Sequence, residues 1–319
     1  MRRKSLLVAV ALVMLCAFDA AAAAEVFPSR PLTLVMGTSR GGIADTIARA
    51  YAAAASSSLG QPIVIDNRPS DSGNEAAFWV RNATPDGHTL LVFSGVQHFA
   101  VPLMQRVDYD AVGDFVPVTT LFSLVNFLAV PASSPATSVS DLMRLGREHG
   151  FLDYGSSGVG STSHLTAIRI TMATGVRIAP AHYAGAAPMI VDLAAHRLDF
   201  SLASYTVLKP YLANGQIKLL AVDSTERWRD LPNLPTLLET GLTKEKVASW
   251  FALAAPKGTP DERVKKIYAA FAAAGKDPRV VAALRDNGAL PGLTPPEAMR
   301  SFMAEEDKKV GALIVGPAR

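Results

Sequence analysis

From Phe27 onward, short apolar runs alternate with longer segments of helical periodicity, and Gly, Pro, Asn and Asp gather at the joins. That alternation predicts an α/β chain. Two joins share a design. In residues 32–49 (LTLVMGTSRGGIADTIAR) an apolar strand meets a glycine loop and then a helix start. About 120 positions later, residues 154–175 (YGSSGVGSTSHLTAIRITMATG) repeat that order with a Gly/Ser loop. Glycines let backbone N–H groups approach a guest closely, and a helix start attracts an anion through its exposed N–H groups and its dipole. Asp45 can cap the first of these helices. A routine strand-to-helix turn would look the same in the first stretch. No Walker lysine follows Gly42 and no G-x-G-x-x-G occurs, which disfavours a nucleotide.

Strands are expected at residues 62–66, 88–93, 115–121, 126–130, 151–155, 176–179, 199–203, 217–222 and 250–255. Helices are expected at residues 46–58, 75–82, 187–196, 207–213, 260–274, 278–286 and 295–310. One more runs to about residue 148 from a capping box of Ser138 and Asp141. Ligands in open α/β sheets bind beyond the carboxyl ends of strands, so two such loops predict two lobes that clamp a carboxylate between them.

Arg2, Arg3 and Lys4 precede an apolar run over residues 6–17, and Ala22, Ala23 and Ala24 follow. Residues 1–24 are therefore expected to be a signal peptide, cut before Glu25. The run is short for an anchor, which needs about 20 apolar residues. Leu15 before Cys16 argues against lipidation. Cys16 is the single cysteine, so the exported chain has no disulfide to rely on, and about 295 residues must stabilise themselves by their core. The net charge is +3, of which the leader supplies two, leaving about +1. The bases are scattered, so no nucleic acid is expected. The six histidines are scattered too, and neither a metal nor another cofactor is expected.

A wider pattern runs through the chain: PSRPLTLVMG, GGIADTIAR, LGQPIVIDNRP, PDGHTLL, VDYDAVGDFVPV, YGSSGVGSTSHL, LPNLPTLLETG and SWFALAAPKGTP, in that order. In it the chain resembles the Bug receptors, the extracytoplasmic solute-binding proteins of tripartite tricarboxylate transporters. The resemblance implies a type II periplasmic-binding-protein fold, with two lobes joined by a hinge and a ligand cleft between them. One lobe would hold residues 25–125 plus 249–319 and the other residues 126–248. It further implies a monomeric periplasmic receptor, not an enzyme, that captures a small carboxylate for the membrane subunits of such a transporter.

By position, the first loop would contribute Thr38, Ser39, Arg40, Gly41, Gly42 and Asp45 to the ligand site. The second would contribute Ser156, Ser157, Gly160, Ser161 and Thr162. His98, in SGVQHFAVP, and Ser204, in DFSLAS, complete the set. The first loop departs from the family pattern: Gly37, Thr38, Arg40 and Ile43 stand where relatives carry Pro, an aromatic, Pro and Gly. Arg40 could meet a second carboxylate or point to water. Ala203 stands where many relatives place a carboxylate or amide, which argues against a cationic ligand group. Two rivals remain at this point. An accessory to a membrane sensor kinase fits the same features. A serine hydrolase would use Ser161 with His164, three positions apart, but no G-x-S-x-G surrounds that serine.

Overall fold

The computed structural model describes residues 26–70, 74–183, 185–242 and 249–314. The expected leader, its cleavage point and Cys16 lie outside the described residues. Among those described, no helix is long and apolar enough to cross a membrane.

The first sheet is built from β1 (Leu32–Met36), β2 (Ile63–Asn67), β3 (Thr89–Ser94), β4 (Phe115–Leu124), β10 (Ser249–Pro256) and β11 (Ala289–Pro291), in the order β11-β4-β10-β3-β1-β2. β1 runs parallel to both β2 and β3, whereas β10 is antiparallel to β3 and β4. The second sheet takes β5 (Asn126–Pro131), β6 (Leu152–Ser156), β7 (Ile178–His182), β8 (Phe200–Ser204) and β9 (Ile217–Asp223), in the order β7-β6-β8-β5-β9. β6 is parallel to β7 and β8, and β5 is antiparallel to β8 and β9. The chain crosses to the second sheet through buried Val125 alone, and returns between β9 and β10.

Packing follows the period of a strand. On β1, Leu34 and Met36 join one apolar cluster while Val35 joins the cluster on the opposite face. On β5, Leu128 and Val130 face one side, and Phe127 and Ala129 the other. Both faces of each sheet are covered by helices. α1 (Ile43–Leu59) turns Ile47, Ala48, Tyr51, Ala55 and Leu59 inward, and left-handed Gly60 ends it. Tyr51 stacks on Phe271 of α8 (Asp261–Ala274), with ring centroids 6.2 Å apart. α9 (Pro278–Asp286) completes this face, and α2 (Asn74–Arg81), α3 (Gly95–Met104) and α10 (Pro296–Ile314) cover the other. The second sheet carries α4 (Val139–His149), α5 (Thr162–Thr174), α6 (Ala186–Ala194) and α7 (Tyr205–Ala213).

The box at α4 forms as read: Ser138 Oγ accepts the Asp141 N–H at 3.0 Å, and the Asp141 carboxylate takes the Thr137 N–H at 3.1 Å. Two elements were not legible. α3 contains Pro102 and has no side-chain cap, so nothing local marks it as a helix. Its residues Phe99, Ala100 and Val101 are almost wholly buried, and that packing offsets the proline's cost. β11 spans only Ala289–Pro291 and forms by pairing with β4.

The halves touch where α5 meets the first sheet. Leu165 of α5 is fully buried in the cluster that holds Val35, Phe93, Phe99 and Trp250.

Candidate functional site

The first loop, residues 37–42, leaves β1 at the same sheet edge as Ser94 leaves β3, because those strands are parallel neighbours. Gly42, not Asp45, is the N-cap of α1. Asp45 lies one turn in and is only 2% exposed. Its Oδ2 accepts the Gly41 N–H at 2.9 Å and Arg49 Nε–H at 2.9 Å. Its Oδ1 accepts Asn67 Nδ2–H at 2.9 Å, and that same amide donates to the Thr38 carbonyl at 3.0 Å. Asp45 therefore clamps both ends of the loop. Burial alone would raise its pKa, but the hydrogen bonds from Arg49, Gly41 and Asn67 outweigh it and hold the carboxyl below its ordinary value. Gly41, at φ +82°, needs the left-handed region, and its N–H is already spent on Asp45. Ser39, Arg40 and Gly42 are exposed, and Thr38 Oγ1 is buried with no partner in the structure.

The second loop is a hydroxyl network. Ser161 is the N-cap of α5: its Oγ accepts the His164 N–H at 3.2 Å and donates to the Gly158 carbonyl at 2.6 Å. Ser156 Oγ donates to the same carbonyl at 3.0 Å. Ser163 Oγ accepts the Ser157 N–H at 2.9 Å and lies 3.0 Å from Ser161 Oγ. From beneath, Tyr154 donates its hydroxyl to the Ser163 carbonyl at 2.8 Å. Gly160 is left-handed at φ +71°, and a Cβ there would stand 3.3 Å from Val101 of α3. A side chain there would press on α3 and strain the left-handed backbone.

Between the two sheets lies a cavity of about 200 Å³. One wall is Ser94, Leu124, Ser249 and Phe251 of the first sheet. The other is Asn126, Leu202 and Ser204 of the second sheet with Ser157, Ser161, Thr162 and Ser163 of the loop. None of these side chains is charged. Three strand-to-helix corners meet here, each with a serine N-cap: Ser94 before α3, Ser161 before α5 and Ser204 before α7. The hydroxyls of Ser94 and Ser204 make no capping bond. Three helix starts thus border a cavity whose lining carries no fixed charge, an arrangement whose dipoles would favour an anion.

Of the thirteen residues read as candidates, Ser157, Ser161, Thr162 and Ser204 line this cavity. Ser156 and Gly160 sit behind it in the loop. Thr38, Ser39, Arg40, Gly41, Gly42 and Asp45 do not line it. Neither does His98, which is 4% exposed. Its Nε2 bonds the Ala111 carbonyl at 2.9 Å, and its ring stacks on Tyr109 at 5.2 Å. Burial pushes its pKa down to about 4. Ser94, Asn126, Ser163, Ser249 and the apolar wall were missed. Ser94, Asn126 and Ser249 are lone residues at strand ends, where the serine closing the run TLLVFS is the one local signal, whereas Ser163 stands in the first turn of α5, within the Gly/Ser run itself. The ring of His164 does not face Ser161 as a base would, since its Nδ1 accepts the Gly160 N–H at 3.1 Å.

The model of the tripartite tricarboxylate transporter family receptor matches residues 47–316. The UPF0065 protein in the tcbD-tcbE intergenic region of Pseudomonas sp. (strain P51) is 34% identical over 98% of this chain and 94% of its own length. Among solved structures, R. palustris Rpa4515 with adipate has a TM-score of 0.80 at 38% identity, covering 91% of this chain and 98% of that one. MatC (Rpa3494) from Rhodopseudomonas palustris with bound malate has a TM-score of 0.78 at 30% identity, covering 90% and 100%. The two-sheet α/β architecture is thus that of periplasmic solute-binding proteins, and the chain belongs to the tripartite tricarboxylate transporter receptor family.

Proposed function

We propose that this protein is an exported receptor that captures a small carboxylate in the cavity between its sheets and presents it to the membrane subunits of a tripartite tricarboxylate-type transporter. The observation that carries this is the meeting of three serine-capped helix starts, at Ser94, Ser161 and Ser204, in one uncharged cavity. A carboxylate there would accept hydrogen bonds from hydroxyl and backbone donors without displacing a fixed counter-charge. The carboxylates bound by Rpa4515 and MatC support the ligand class, and the family's description supports the transporter role.

In this proposal the first sheet with its helices, residues 25–125 plus 249–319, is one lobe, and residues 126–248 are the other. The crossings at Val125 and between β9 and β10 would be the hinge. Closure follows from linkage: a ligand touching both lobes only in the closed form favours that form. The Asp45-clamped loop would form the rim beside Ser94. Arg40, exposed and without an ion-pair partner among the described residues, would meet a second carboxylate there.

A thermal-shift screen against mono-, di- and tricarboxylates tests the proposal. A true ligand at 100 times its Kd adds about 2.7 kcal/mol to stability, a rise of several degrees. Arg40→Ala should remove the preference for a dicarboxylate over its monocarboxylate analogue. A flat response across the panel would contradict the carboxylate reading.

A further inference from the structure

His164 stands in the first turn of α5 and is 9% exposed. Its Nδ1 accepts the N–H of Gly160, the residue just before the cap Ser161. An N–H can donate only to a ring nitrogen that carries a lone pair, so the ring is neutral with its proton on Nε2. Protonating the ring would place a second N–H against the first at 3.1 Å. Protonation would therefore cost the Gly160 amide its partner and loosen the loop at the residue before its cap.

The surroundings favour the neutral ring. Burial, and after it the charge of His182, hold the pKa of His164 below the ordinary histidine value. His182, at the end of β7, meets the ring edge-on with centroids 4.6 Å apart. Among the described residues it is the titratable group facing His164. The neighbours contributed by α5 are Ser161, Thr162 and Ser163, and those of α3 nearest Gly160 are Ala100, Val101 and Met104, all uncharged.

We propose that His164 is a positioning residue for the carboxylate loop: its unprotonated ring fixes the Gly160 amide, and protonation releases the loop and weakens its hold on the ligand. This rests on the reading above that the loop holds the ligand. A receptor so built would bind best in neutral surroundings and discharge as they acidify.

Two measurements on the signal-free chain test it. In the ligand-free protein, nitrogen NMR should find Nδ1 unprotonated at pH 7.5, with the Gly160 amide moving as His164 titrates below pH 6.5. His164→Asn places an amide oxygen where Nδ1 stood and cannot titrate. Adipate affinity, measured between pH 7.5 and 5.5, should therefore fall about fivefold more for the unaltered protein than for His164→Asn, and adipate's own protonation cancels in that ratio. His182→Asn should keep the response and move its midpoint upward. An indifferent Gly160 amide, or the same pH profile in His164→Asn, would overturn the proposal. If adipate and malate both fail to bind at pH 7.5, the ligand class falls, and the NMR titration decides the role of His164 alone.

Discussion

At the scale of single residues, the molecule separates two kinds of buried polar group. Asp45 stays charged because three donors meet its carboxylate, the Gly41 N–H, the Arg49 guanidinium and the Asn67 amide, and Asn67 also donates to the Thr38 carbonyl. His98 stays neutral because its burial among rings outweighs the Ala111 carbonyl and the charge of Asp110, both of which favour the protonated ring. Both cost stability on acidification, and they differ in the pH window. Asp45, lowered, supplies stability at neutral pH that is lost as pH falls through the carboxylate range. His98, pushed down to about 4, supplies stability that is complete above pH 6.5 and is lost as pH falls from there towards 4. Because the unfolded chain binds the proton first, that window is worth at most about 3 kcal/mol. Urea denaturation from pH 7 to pH 4 should show this loss, and His98→Asn, less stable at pH 7, should lose less across the same window. Equal slopes would place the titration elsewhere.

At the scale of elements, the close approaches are set by small residues. Gly95 opens α3 with Trp250 against it: a Cβ would stand 2.0 Å from the indole. Trp250 is buried and tied through Nε1–H to Glu306 at 3.0 Å, so it has no easy retreat. Gly95→Ala should cost about 1–3 kcal/mol through overpacking, read as a lower urea midpoint with unchanged slope. The same elements explain what sequence reading could reach. Most strands and helices were legible, because Leu34, Met36 and Val35 alternate faces and because Gly60 and Ser138 punctuate their helices. α3 was not, since Pro102 and a missing cap hide it and burial alone makes it helical. The second loop announced itself as a dense Ser/Gly run before a helix. The first misled at Asp45, whose partner Asn67 is 22 positions away and comes near only when β2 pairs with β1. Asn126 and Ser249 carry no local signal for the same reason: only strand pairing brings them to the cavity wall.

At the scale of the whole molecule, two sheets, each with helices on both faces, are joined by chain crossings, and a cavity lies between them. Leu165 of α5 packing among Val35, Phe99 and Trp250 shows how firmly the halves are seated against each other. In the proposed mechanism that seating is what a ligand stabilises. A guest reaching Ser94 and Ser249 on one side and Ser161 and Ser204 on the other contributes binding energy only when both walls are close. The cavity is small, so its capacity is easily removed. Ser204, 6% exposed, contributes to its wall, and a leucine there would take up the space a carboxylate needs. Calorimetric titration of the strongest carboxylate from the screen, into the unaltered protein and into Ser204→Leu shown to melt cooperatively, is the most direct measurement. Saturable binding by the former and at least a hundredfold loss in the latter is the predicted result, and equal affinity in both would contradict a ligand held between the sheets.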